Sequence, residues 1–251
     1  MQATLPHPIP GSEASSGSDP RQKLIVALDV STAAAAQKIV TAVGDSAFTY
    51  KVGMQLYTAE GPRLVRDLVA SGRQVFLDLK YHDIPNTVAS AVREAAKLGV
   101  SMLTVHASGG SKMLRRAVEA AGSVNSSLTV LAVTVLTSFD QNDLHEIGIR
   151  EDETVLDEVR RLAKIALNCG CQGIVASAHE ASALRAEFGS KFYVVTPGVR
   201  PAGADHGDQA RVVTPAQAIA AGASHIVVGR PITEASDPAA AAEAILKQIG
   251  Q

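Results

Sequence analysis

Residues 75–87 read Val75-Phe-Leu-Asp78-Leu-Lys80-Tyr-His-Asp83-Ile-Pro85-Asn-Thr87, an apolar run that ends in a charged turn. Successive side chains of a strand point to opposite faces, so a strand here places Asp78 and Lys80 on one side. Leu77 then faces packed apolar surroundings, and a helix is predicted from about Pro85. Burying a carboxylate and an ammonium costs free energy unless the two charges pair or take part in the protein's function. The strand end therefore holds either a structural ion pair or part of a functional site.

The same pattern of a short apolar strand followed by a helix recurs eight times from Lys23 onward. The predicted strands are 24–29, 48–53, the opening stretch, 101–106, 128–136, 173–176, 192–196 and 224–229. The predicted helices are 31–43, with a Ser31 or Thr32 cap, then 61–70, 85–98, 111–121, 153–168, 179–188, 215–221 and 238–249. Uniformly apolar strands are typical of parallel sheets that are buried on both faces. Eight such units predict an α/β protein with a closed (β/α)8 barrel, a TIM barrel.

An open doubly wound sheet is the alternative fold. It receives little support, because no Gly-x-Gly-x-x-Gly follows the first strand, as a dinucleotide site would require.

Length and composition indicate one large domain over residues 23–251 of the 251-residue chain. Residues 1–22 lack the basic start and apolar core of a secretory signal and are predicted to be a disordered leader.

A net charge of −2 gives no support to nucleic-acid binding, and no apolar run is long enough to span a membrane. Cys169 and Cys171 are too closely spaced for an easy disulfide and lack a second ligand pair for zinc. We therefore expect a cytoplasmic protein with reduced thiols and no bound metal.

Polar residues fall repeatedly at the ends of the predicted strands. In a barrel these ends converge on the carboxyl-terminal mouth, where such enzymes carry out their chemistry. Each residue alone could serve in an ordinary salt bridge, but their joint placement predicts an active site. The set is Asp29, Lys51, Asp78, Lys80, Thr137, Ser138, Arg200, Gly229 and Arg230.

A phosphate site is predicted at the last two loops. Gly229 permits close approach to a backbone N–H, and Arg230 adds a fixed cation, at the position where barrels commonly bind phosphate. The Gly-rich loop 196–209 has the composition of a lid that would bring Arg200 and Gln209 to the same phosphate. The simpler alternatives are that Gly229 only turns the chain and that the loop is an ordinary surface loop.

The alternating charges of Asp29, Lys51, Asp78, Lys80 and Asp83 favour the ionised form of each member. Lys80 would then be an ammonium suited to donating a proton or stabilising a carbanion, and unsuited to Schiff-base formation. An ionised Asp78 would disfavour a neighbouring substrate carboxylate and tolerate its loss as carbon dioxide. Asp83 is explained equally well as a cap of the helix near Pro85.

His106 ends the fourth strand and so faces the mouth, but no second histidine stands at ligand spacing to it. We expect His106 to hydrogen-bond behind the site rather than to act in catalysis.

The motif Asp78-x-Lys80-x-x-Asp83-Ile-Pro-Asn-Thr87 resembles that of the orotidine 5′-phosphate decarboxylases. The resemblance extends from about Lys23 to the C-terminus. It is supported by Leu-Asp29-Val, Lys51-Val-Gly, Leu-Thr137-Ser, Thr-Pro-Gly-Val-Arg200-Pro and Val-Gly229-Arg230-Pro. It implies a cofactor-free, homodimeric barrel that converts orotidine 5′-monophosphate to uridine 5′-monophosphate in pyrimidine synthesis.

The resemblance also implies a role for each site residue. Lys80 would protonate C6 and Asp78 would sit against the departing carboxylate, with Lys51 and Asp83 completing the catalytic set. The substrate-binding residues would be Asp29 and Lys51 at the ribose, Thr137 at the pyrimidine edge, and Arg200, Gln209, Gly229 and Arg230 at the phosphate. Asp83 and Thr87 would reach into the partner subunit's site.

Three other functions are compatible with parts of the pattern. A magnesium-dependent keto-sugar-phosphate decarboxylase of the same suprafamily resembles the chain in Asp78, Lys80 and Asp83. A Schiff-base aldolase would use Lys80 covalently. A non-catalytic phosphonucleotide-binding barrel would have no evident need of the Asp78–Lys80 pair.

Overall fold

The computed structural model describes residues 19–201 and 213–250. Within them, eight parallel strands pair in sequence order and β8 closes onto β1, so the chain is a single-domain (β/α)8 barrel as predicted. The open doubly wound alternative is therefore wrong. The strands are β1 (Leu24–Ala27), β2 (Thr49–Gly53), β3 (Gln74–Tyr81), β4 (Met102–His106), β5 (Thr129–Val133), β6 (Gly173–Val175), β7 (Tyr193–Thr196) and β8 (His225–Val228).

The helices follow the strands and surround the barrel. In the described part of the chain they are α1 (Ala33–Val43), α2 (Met54–Ala70), α3 (Pro85–Lys97), α4 (Gly110–Val124), α5 (Gln141–Glu146), α6 (Val155–Asn168), α7 (Ala178–Phe188), α8 (Pro215–Ala220), α9 (Arg230–Thr233) and α10 (Pro238–Ile249). The predicted cap of α1 is confirmed, because the Thr32 hydroxyl accepts the Ala35 N–H. The short helices α5 and α9 were not predicted. Helix α2 begins at Met54 rather than Gly61, where a φ of 68° interrupts it.

Alternation along the strands divides the core into two clusters. Ile25 and Ala27 of β1 belong to a cluster with Phe76 that fills the barrel interior. Leu24 and Val26 belong to the larger cluster between the strands and the surrounding helices. The inward-facing series on each strand continues to the end of that strand. It therefore determines which side chains reach the mouth of the barrel.

The N-terminal segment joins the barrel from Asp19 onward. The predicted leader 1–22 lies outside the described residues except for its last part, where the Arg21 guanidinium stacks on the Phe48 ring at 4.5 Å.

Both cysteines, Cys169 and Cys171, are free and buried, in agreement with the prediction. Across the described residues, no helix combines the length and apolarity needed to cross a membrane.

Candidate active site

Charged side chains occupy the inward-facing positions at the ends of β1, β2 and β3. The alternation that places Ala27 and Phe76 inside the barrel continues to Asp29 and Asp78, which face the mouth. These two carboxylates line a single pocket together with Lys51 and Lys80. The structure thus brings together four of the predicted site residues.

The four side chains form a continuous chain of opposite charges. The Lys80 ammonium lies 2.9 Å from both carboxylate oxygens of Asp78. The Lys51 ammonium donates to Asp29 Oδ1 at 2.9 Å and lies 3.8 Å from Asp78 Oδ2. The side chains of Lys51 and Asp78 are each only 13% exposed, whereas that of Asp29 is 59% exposed. The centre of the array is therefore the better shielded from water, and its charge interactions are the least screened.

The end of β3 departs from regular strand geometry where the array lies. Lys80 has a φ of 51°, and the pairing of β3 with β4 shifts register between Leu77 and Tyr81. The hydroxyl of Thr104 on β4 contacts both the Lys80 backbone and the Asp78 carboxylate, each at 2.9 Å. The sequence interpretation missed Thr104; the available signal was a polar residue between the apolar Leu103 and Val105.

The opposite wall of the pocket is apolar. The cavity has a volume of about 410 Å³, within the range of about 300–1,000 Å³ typical of small-molecule sites. Its valine wall comes from β5 to β8 and from the residues after β5, and consists of Val133, Val135, Val175, Val195 and Val227. A ligand in this cavity would contact ions on one side and aliphatic side chains on the other.

The predicted phosphate-binding residues line the same cavity. Arg200, Gly229 and Arg230 all border it, as does Thr137, the residue predicted at the pyrimidine edge. Gln209 and most of the predicted lid lie outside the described residues. A Cβ added to Gly229 would meet no protein atom closer than 3.5 Å. The protein's own packing therefore does not require glycine at this position.

Asp83 and Thr87 are exposed and do not border the cavity of their own chain. The Asp83 carboxylate accepts the N–H of Ile84, the residue before α3, and that helix has no side-chain cap. The capping alternative for Asp83 is therefore not supported. Ile84 is 68% exposed, unusual for a large aliphatic side chain.

His106 lies beside the array, stacked on His82 with ring centroids 5.4 Å apart. Burial lowers its pKa, and the neighbouring His82 and Lys80 lower it further, so the ring is neutral at neutral pH. Its Nδ1 is buried without a hydrogen-bond partner among the described residues, contrary to the expected hydrogen-bonding role.

Over residues 19–201 and 213–250, no group of three or more His, Cys, Asp or Glu side chains is arranged to hold a metal ion.

Comparison with known proteins gives consistent results. Residues 22–245 match the profile of the "Orotidine 5′-phosphate decarboxylase / HUMPS family". The chain is 50% identical to the orotidine 5′-phosphate decarboxylase of Moorella thermoacetica, over 91% of this chain and 92% of that protein. It is 52% identical to the enzyme of Halorhodospira halophila, over 90% of this chain and 95% of that protein.

A solved structure extends the similarity to the fold. The crystal structure of orotidine 5′-phosphate decarboxylase from Lactobacillus acidophilus superimposes with a TM-score of 0.81 at 41% identity. The alignment covers 92% of this chain and 100% of that chain. Sequence and fold similarity therefore both extend over nearly the whole barrel.

Proposed function

Because the chain belongs to the orotidine 5′-phosphate decarboxylase family, it converts orotidine 5′-monophosphate to uridine 5′-monophosphate, and we propose that Lys80 is the proton donor. The observation that carries this proposal is the position of the Lys80 ammonium, 2.9 Å from both Asp78 oxygens at the mouth of the barrel. A general acid must lie within hydrogen-bond reach of the reacting atom. Lys80 borders the cavity, so its ammonium is exposed to a ligand bound there.

The chemical step replaces a carboxylate by a hydrogen atom. The bond between C6 and the carboxylate breaks, carbon dioxide leaves, and the electron pair remains on C6. An N–H bond of the Lys80 ammonium then breaks as the new C6–H bond forms, which leaves a neutral amine. Before the transfer, the positive charge of Lys80 stabilises the carbanion in a partly water-excluded site. No electron acceptor or external acid is needed for the step to balance.

The remaining array residues hold Lys80 and the substrate in place. Asp78 fixes the ammonium with two hydrogen bonds and would lie against the departing carboxylate. Lys51 bridges the two carboxylates of the array, since its ammonium lies near both Asp29 and Asp78. We assign Asp29 and Lys51 to the ribose, because Asp29 stands at the exposed rim of the pocket and accepts a hydrogen bond from the Lys51 ammonium.

The phosphate is assigned to the other end of the pocket. Arg200 and Arg230 supply guanidinium groups there, and Gly229 leaves its backbone N–H open to close approach. Gln209 is proposed as a further donor from the loop outside the described residues. Thr137 is assigned to the pyrimidine edge.

Replacing Arg230 with Ala should weaken catalysis only for the phosphorylated substrate. A hydrogen bond to a charged group contributes about 1.5–3 kcal/mol, so kcat/KM for orotidine 5′-monophosphate should fall roughly 10- to 100-fold. Orotidine, which lacks the phosphate, should react at the same low rate with both proteins. Steady-state kinetics on the two substrates measures the difference. The matched control is Arg63→Ala, because the Arg63 side chain is 90% exposed. Equal losses for both substrates would contradict the assignment.

A homodimer accounts for the residues that do not reach their own pocket. Asp83 and Thr87 belong to the proposed site by sequence but are exposed beside the apolar Ile84. A symmetric dimer in which this segment enters the partner's mouth would bury Ile84 and complete both sites. We place this dimer in the cytoplasm, the compartment that suits a biosynthetic enzyme with free thiols.

The absorbance of the pyrimidine tests whether the reaction needs a metal. Loss of the C6 carboxylate shortens the conjugated system, so the long-wavelength ultraviolet absorbance falls as product forms. We expect purified protein to give this change at the same rate with and without EDTA. Activity abolished by EDTA and restored by magnesium would contradict the cofactor-free mechanism and favour the chemistry expected of a keto-sugar-phosphate decarboxylase.

A further inference from the structure

The proposed proton donor stands at a break in the barrel's hydrogen-bond ladder. Leu77 pairs with Leu103 and Tyr81 pairs with Val105, so four steps along β3 span only two steps along β4. The extra residues form a bulge, which in strands leaves part of the backbone unpaired and redirects a side chain. Here the bulge contains both Asp78 and Lys80.

Lys80 is also the one non-glycine residue in the described part of the chain with a positive φ, 51°. This left-handed conformation crowds the Cβ of an L-residue and persists only where the surroundings enforce it. Strand pairing cannot enforce it, because the register is interrupted at this point. Another contact must therefore hold the Lys80 backbone in this conformation.

The hydroxyl of Thr104 provides this contact. Thr104 lies on β4 between the two paired residues Leu103 and Val105, and it is fully buried. Its Oγ1 accepts the Lys80 backbone N–H at 2.9 Å. The same oxygen lies 2.9 Å from Asp78 Oδ1. The Thr104 hydroxyl thus takes the place of a β4 backbone carbonyl as hydrogen-bond acceptor for Lys80, and it also contacts the Asp78 carboxylate.

The chemistry of the groups fixes the direction of both hydrogen bonds. A backbone N–H only donates, so the Thr104 oxygen must accept from Lys80. An ionised carboxylate only accepts, so the hydroxyl proton must point to Asp78. The single hydroxyl proton is therefore committed to Asp78, and one of the two lone pairs of the oxygen is committed to Lys80. Thr104 does not border the cavity.

We propose that Thr104 is a positioning residue for the decarboxylation, holding the Lys80 backbone and the Asp78 carboxylate so that the ammonium is aimed at C6. This inference rests on the proposed role of Lys80 as proton donor. Thr104 acts through the two array residues and not on the substrate. A small misplacement of a reacting group can cost about 10²-fold in rate, so loss of the hydroxyl should be visible in turnover.

Two substitutions separate positioning from packing. Thr104→Val keeps the shape of the side chain but removes the hydroxyl, and we expect kcat to fall about 10²-fold with product affinity unchanged within about threefold. Thr104→Ser keeps the hydroxyl but leaves a methyl-sized void, and we expect kcat within about threefold of wild type despite a lower Tm. A purely structural role predicts that loss of activity follows loss of Tm in both variants.

The measurements are kcat at saturating orotidine 5′-monophosphate, the calorimetric Kd of uridine 5′-monophosphate, and Tm. The control is Thr49→Val, which removes a buried hydroxyl at the opposite end of the barrel, where it contacts Gln74. This control should leave kcat unchanged. If Thr104→Val does not fold, the pair Thr104→Ser and Thr104→Ala makes the same comparison, because they differ by one hydroxyl.

The outcomes distinguish this inference from the proposal beneath it. Near-normal kcat in Thr104→Val, or equal losses in Thr104→Val and Thr104→Ser, would overturn the positioning role. Either result combined with an inactive Lys80→Ala would leave the proton-donor role intact. An active Lys80→Ala variant would instead contradict the proton-donor role of Lys80 and, with it, the positioning role of Thr104.

Discussion

Replacing Lys80 with Ala is expected to lower kcat by at least about 10⁴-fold, because the change removes both the proton donor and the cation that stabilises the carbanion. Binding of uridine 5′-monophosphate should survive, since the proposed phosphate and pyrimidine contacts come from Thr137, Arg200 and Arg230. Single-turnover kinetics and calorimetric titration with the nucleotide would measure the two effects separately. Turnover near that of wild type would rule out Lys80 as the donor.

A second variant distinguishes proton donation from charge alone. Lys80→Arg keeps a positive charge beside Asp78, but a guanidinium does not release its proton in proteins. We expect this variant to remain inactive, whereas substantial activity would show that the charge suffices. The control is Lys112→Ala, because Lys112 is an exposed lysine of α4 that does not border the cavity.

Mixing two inactive proteins, Lys80→Ala and Asp83→Ala, is expected to restore activity. In a hybrid dimer, the site that keeps Lys80 receives an intact Asp83 from its partner. The other site lacks both residues. With random assortment of equal amounts, half of the dimers are hybrids with one complete site, so recovery should approach about a quarter of wild-type activity. Activity assays after verified subunit exchange measure the recovery.

The control for this experiment pairs Lys80→Ala with Asp78→Ala. Both residues border the cavity of their own chain, so no assortment yields a complete site and no recovery is expected. If the mixture with Asp83→Ala also stays inactive despite complete subunit exchange, Asp83 acts within its own chain. That result would remove the functional argument for the dimer.

The fold was predictable because its signals are repetitive. Eight apolar strands with intervening helices indicated a barrel, and the observed strands begin or end within a few residues of the predicted ones. The short helices α5 and α9 were missed, because each is an additional helix between a strand and the helix predicted to follow that strand. The helix start predicted at Gly61-Pro62 corresponds to a kink in α2, because the φ of 68° at Gly61 separates the predicted helical run from an earlier run that begins at Met54 and was not predicted.

The site was predictable only in part. Strand alternation correctly placed Asp78 beside Lys80, since the two side chains are in direct contact. It did not reveal the left-handed backbone of Lys80 or the register shift, because both depend on pairing with β4. Thr104 was missed for the same reason. A residue that acts across a bulge has no sequence spacing by which it can be recognised.

The most direct test of the central claim is hydrogen exchange at C6 of uridine 5′-monophosphate in D₂O, followed by proton NMR. The group that protonates C6 in the forward reaction must also be able to remove that proton in reverse. We predict that the wild-type protein exchanges the C6 hydrogen and that Lys80→Ala, saturated with the same nucleotide, shows no exchange above buffer. Exchange by Lys80→Ala at the wild-type rate would show that another group protonates C6 and would contradict the account.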